Sequence, residues 1–136
     1  MMATRPDVTA LRETFTPDRI AGLVDDFYGR VRDDAELGPI FGAHIEAWGP
    51  HLERMTTFWG SIMRAEAGYR PGPKGTPQQI HAGLEEIRLH HFDRWLTLFD
   101  TTARDHLPAW AAEDMLRRAR RMAVTLSSHL AAPNLD

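Results

Sequence analysis

The chain has 136 residues, 43% of them hydrophobic and 26% charged, with a formal net charge of −3 and no cysteine. That is enough chain for one domain with one continuous core. The missing cysteines exclude disulfides, thiolate-held zinc, iron–sulfur clusters and thiolate-ligated haem, and the mild acidic balance gives no electrostatic reason to expect nucleic acid or an anionic membrane. No apolar run has the form of a secretion signal or the length of a membrane span, so a cytoplasmic location is expected.

Residues 1–16 read as an N-terminal segment. The first strong helix opens at Thr16-Pro17-Asp18, an N-cap, a proline tolerated in the first turn and an acid suited to the positive helix end. Ile20, Leu23, Val24, Phe27, Tyr28 and Val31 then recur at helical spacing as one apolar stripe. The helix fades at Arg32-Asp33-Asp34, and a short element from Glu36 to Phe41 leads into Gly42. A second helix begins near Trp48-Gly49-Pro50, with Leu52, Met55, Phe58 or Trp59, Ile62 and Met63 on one side. Residues 68–78 hold three Gly and three Pro and read as a loop, followed by a brief apolar stretch over 80–87. A third long helix starts near Leu89, carries Phe92, Trp95, Leu96 and Phe99 inward, and stops before Leu107-Pro108. The last is expected from Trp110 to Leu130, with Met115, Ala119, Met122, Ala123 and Leu126 inward and Arg117, Arg118, Arg120 and Arg121 on a solvated face. No strand-like alternation interrupts this pattern, so the fold class is all-α, with one domain over 17–130 and a tail over 131–136.

Seven histidines are the conspicuous chemical resource. None is spaced four residues from another, no H-E-x-x-H occurs, and no Glu-x-x-His exists for a di-iron bundle site. His90 and His91 are adjacent, so helical rotation should turn them about 100° apart, a poor arrangement for sharing one metal. Phosphate-loop and nucleophile-elbow patterns are absent as well. What remains is a single imidazole beside many aromatics, which suits haem ligation inside an apolar pocket. The same features also suit a partly buried, hydrogen-bonded histidine in an ordinary helical core, and local chemistry leaves both open.

Three groups of residues resemble the truncated globin family. They are Phe27-Tyr28-Gly29-Arg30-Val31-Arg32-Asp33-Asp34 with Leu37-Gly38-Pro39-Ile40-Phe41; Trp48-Gly49-Pro50-His51 with Met55 and Phe58-Trp59; and His81 followed by His91-Phe92-Asp93-Arg94-Trp95-Leu96. Their combination is most similar to the third, or P-type, group and covers roughly residues 17–130.

The resemblance implies a two-over-two helical globin sandwich around haem b. His81, 14 residues before Trp95, would be the proximal iron ligand, with His90 and His91 structural or solvent-facing. Tyr28 and Trp95 would donate hydrogen bonds to a diatomic ligand, and His51 would either bond the ligand or swing outward at the entrance. Phe41, Met55, Phe58, Phe92 and Leu96 would wall the porphyrin, and Arg54 would reach a propionate. Expected ligands are oxygen, nitric oxide and carbon monoxide. Two donors predict slow oxygen release, which favours redox chemistry on the bound ligand, of a nitric oxide dioxygenase-like or peroxidase-like kind, over oxygen delivery. No flavin or nicotinamide domain is visible, so turnover would need an external electron donor or reductase. The alternatives are ligand sensing, sequestration without turnover, or a haem-free helical interaction module. A monomer is expected.

Overall fold

The computed structural model describes residues 7–66 and 87–127. Among them lie six helices and no strand: α1 (Val8–Thr14), α2 (Pro17–Asp33), α3 (Leu37–His44), α4 (Trp48–Met63), α5 (Leu89–His106) and α6 (Ala109–Leu126).

Helix α2 starts where the Thr-Pro-Asp signal sets it, with Thr16 Oγ1 accepting a hydrogen bond from the Arg19 N–H at 3.2 Å. All six residues of its apolar stripe are buried. Stripe and burial agree because α2 is packed on several sides: it meets α4, α3 and α5, while α5 packs in turn on α6. Paired α2/α4 and α5/α6, joined through α2 and α5, give the expected two-over-two arrangement. Phe15, Ile20, Leu23, Val24, Val31, Met63, Phe99 and Met115 are fully buried at its centre.

Helix α1 falls within the segment that the sequence leaves without structure. Asp7 caps it by accepting from the Ala10 N–H at 2.8 Å, and Leu11 and Phe15 are buried. The Arg64 guanidinium at the end of α4 donates to the carbonyls of Arg12 and Phe15, both at 2.9 Å. Helix α6 ends at Leu126, where the Ser127 N–H closes onto the Ala123 carbonyl; residues 128–130 of the longer expected helix lie outside the described residues. Its basic face is less free than a solvated surface. Buried Asp114 accepts from Arg117 and, at 3.1 Å, from Arg118. No helix among the described residues is long and apolar enough to cross a membrane.

Candidate functional site

Of the residues singled out in the sequence, Tyr28, Phe41 and His51 come together where α2, α3 and α4 meet. Tyr28 projects from the last part of α2 and is buried. Its ring meets His51 edge-on at 4.8 Å, Phe41 at 6.0 Å and Trp48 at 6.1 Å. His51 lies one turn into α4, which puts it on the same face as Trp48 three residues earlier. Those two rings are perpendicular, 5.7 Å apart. Trp95 on α5 reaches this group through Phe27, whose ring stands edge-on to Trp95 at 5.3 Å and to Tyr28 at 5.0 Å. Behind Trp95, the Phe99 ring stacks at 5.2 Å and Trp59 stacks on Phe99 at 5.1 Å, an aromatic spine into the core.

His51 Nε2 is the buried side-chain nitrogen or oxygen that lacks a hydrogen-bond partner among the described residues. A polar atom taken out of water without a partner costs free energy. Its placement leaves one polar atom inside this aromatic group able to take a partner. Burial pushes the His51 pKa down to about 4, and the Arg54 charge pushes it the same way. The ring is neutral at physiological pH. Burial also drives the Tyr28 phenol well above its ordinary range, so its hydroxyl keeps its proton and can donate.

Phe41, Met55, Phe58, Trp95 and Leu96 pack on the core with one side left partly exposed, and Phe92 is half-buried. A half-covered apolar wall beside an unpartnered buried nitrogen suits a flat apolar cofactor with a polar ligand, so these residues fit haem. His81 lies outside the described residues, as do the loop over 68–78 and most of the 80–87 stretch.

The His90 and His91 rings lie closer together than helical rotation alone suggests. Their ring centroids are 4.1 Å apart, and with Glu36 they bring three potential ligand atoms within 4.8 Å of one another. The cause is local. His91 is the third residue of α5 and folds back to accept the Arg88 N–H through Nδ1 at 2.9 Å, which caps the helix start. Glu36 is paired with Arg94 at 3.1 Å. With one imidazole nitrogen spent on the cap and the carboxylate paired, the cluster serves the start of α5.

Arg32 has a role here that its place at the fading end of α2 does not suggest. Its guanidinium carbon sits 4.5 Å above the Trp48 ring. Only the W-x-x-H spacing hints at Trp48 as a neighbour of His51; nothing in the local pattern joins position 32 to position 48.

No family model matches the chain. The chain is 35% identical over 92 residues to the group 3 truncated hemoglobin ctb of Campylobacter jejuni, across 65% of this chain and 69% of that protein. The crystal structure of the group III truncated hemoglobin from Campylobacter jejuni superposes with a TM-score of 0.79 at 30% identity, covering 87% of this chain and 93% of that one. Helix order, packing and both similarities agree: the chain belongs to the group III truncated haemoglobins.

Proposed function

We propose that the chain binds haem b through His81 and takes up oxygen and related diatomic ligands for redox chemistry rather than oxygen delivery. Haem, when bound, supplies an iron that holds a diatomic ligand and exchanges electrons with it. The protein supplies the surroundings. Tyr28 and Trp95 carry an O–H and an N–H that can donate to negative charge on a ligand in a water-poor pocket. Each such bond contributes about 0.5–3 kcal/mol, the upper end applying to charged acceptors. Two donors hold a polar ligand longer than delivery requires. His51, being neutral, carries one N–H that can serve as a third donor or turn away. Arg54, whose charge reaches His51, would pair with a haem propionate.

One observation carries the reading: His51 Nε2 is buried without a partner and its ring lies 4.8 Å from the Tyr28 ring, beside a half-exposed apolar wall. Purified protein should show a Soret band. Mixing the oxygenated protein with nitric oxide in a stopped-flow instrument should yield ferric haem and nitrate rapidly. Tyr28→Phe and Trp95→Leu should each release oxygen about 2- to 160-fold faster, following the bond energies above. An absent Soret band overturns the haem assignment. Unchanged oxygen release in both variants overturns the donor roles.

A further inference from the structure

We propose that Trp48, held beneath the Arg32 guanidinium, is a positioning residue for His51 that keeps the imidazole turned inward against Tyr28. The proposal rests on the reading of His51 as a pocket residue of a haem protein. With no hydrogen bond at buried Nε2, that end of the ring has no polar anchor. Turned outward, the same nitrogen would reach water. Packing must therefore oppose that rotation, and the Trp48 and Tyr28 rings are the aromatic contacts that supply it, at 5.7 Å and 4.8 Å.

Trp48 in turn needs an anchor. It is the first residue of α4, and Ala47 before it offers no side-chain cap, so this turn has little local reason to stay in place. Arg32 provides the tie from outside the helix. It belongs to the last turn of α2, and its cation lies 4.5 Å from the Trp48 ring centroid, within cation–π range. The contact joins the end of α2 to the start of α4, across the segment that carries α3. Trp48 also leans on Tyr28 at 6.1 Å, so one indole meets both Tyr28 and His51. Arg32 is exposed. It can be changed without opening the core.

The test uses the haem-loaded carbon monoxide complex, with infrared C–O stretching bands reporting whether His51 is in or out and flash photolysis giving the rebinding rate. His51→Ala defines the band that depends on the imidazole. Arg32→Gln should shift the inward-to-outward band ratio about 2- to 5-fold toward outward, the size of an exposed cation–π contact, and speed rebinding in the same direction. Arg32→Lys, which keeps the cation, should stay close to the parent. Trp48→Leu should shift the ratio further than Arg32→Gln, with Trp48→Phe between them. In a His51→Ala background, Arg32→Gln should change neither bands nor rate. Imidazole-dependent bands that ignore Arg32→Gln overturn the proposal and leave the haem reading standing; so does an equal effect of Arg32→Gln without His51. Should Trp48→Leu fail to fold, the surface variant Arg32→Gln decides the matter alone. Protein that takes up no haem removes both.

Discussion

Two properties of His51, the unpartnered Nε2 and a pKa pushed down to about 4, have one origin in its burial against Tyr28 and Trp48. They carry a consequence for stability. The folded-state pKa lies below the ordinary value of 6.5, so between pH 6.5 and about 4 the unfolded chain takes up a proton that the folded chain refuses. This contribution is fully retained above pH 6.5 and is lost as pH falls toward 4. One full proton would give a slope of about 1.4 kcal/mol per pH unit, and the partial exposure of the ring screens it to less. Urea titrations of haem-free protein at pH 7 and pH 5 should therefore show a loss of stability that His51→Gln makes smaller. The Asp26 and Asp34 carboxyls titrate in a separate window. The His106 hydrogen bond lowers the first and the Arg94 hydrogen bond the second, so their contributions disappear only as pH falls from 3.8 downward. An equal loss between pH 7 and pH 5 in parent and His51→Gln would show that the imidazole is solvated.

Between helices, the tightest constraint is the corner from α2 into α3. Asp34 turns the chain by accepting from the Glu36 and Leu37 N–H groups, both at 2.9 Å, while the Gly38 N–H returns to the Asp34 carbonyl at 2.9 Å. A Cβ on Gly38 would stand 2.6 Å from the Arg32 carbonyl oxygen, a backbone atom that cannot step aside by rotation. Gly38→Ala should therefore destabilise by about 1–3 kcal/mol and lower the melting temperature by about 3–10 °C. Gly29→Ala, on the exposed side of α2 with no atom within 4 Å of its would-be Cβ, should do the opposite by up to about 1 kcal/mol. Thermal melts of the two variants separate steric contact from helix propensity. This corner also marks what the sequence makes legible. Caps and stripes act within a turn or two, so α2 could be read from Thr16 to Asp33 and its stripe proves buried. Arg94 binding Asp34 at 2.7 Å, Arg64 closing on Arg12, and Arg32 over Trp48 join positions that no helical period relates. Helix α1 went unread for that reason: it is seven residues long, and its inward side depends on the distant Arg64. That Tyr28, His51 and Phe41 are neighbours is legible only through the family pattern, which names all three. The clustering of His90 with His91 is not legible, since it depends on one imidazole bending back to cap its own helix.

At the scale of the whole molecule, α2 and α5 are joined by polar contacts toward both ends as well as by the aromatic group around Phe27. Toward the end of α5, Arg30 binds Asp26 at 3.1 Å and Asp105 at 2.7 Å, while His106 meets Asp26 at 2.8 Å. Toward its start, Arg94 holds Asp34. Such exposed or half-exposed pairs contribute little singly, but they fix the register of two helices that also bear Tyr28 and Trp95. The fold thus holds the pocket side chains in place, yet leaves the apolar surfaces of Phe41, Met55, Phe58 and Leu96 only partly covered. If a porphyrin covers that wall it removes apolar area from water, and haem is then a stabilising ligand by linkage. At free haem one hundred times its dissociation constant the gain is about 2.7 kcal/mol, or roughly 5–10 °C in melting temperature. If His81 supplies the iron bond, His81→Gly should lose most of that gain while the haem-free variant melts close to the haem-free parent. Added imidazole should restore the spectrum and much of the gain, because it replaces the missing ligand without repairing any packing. A His81→Gly protein that keeps the parental haem spectrum and the full thermal shift would move the iron bond to another residue, while leaving the Tyr28–His51 face of the pocket where the helices put it.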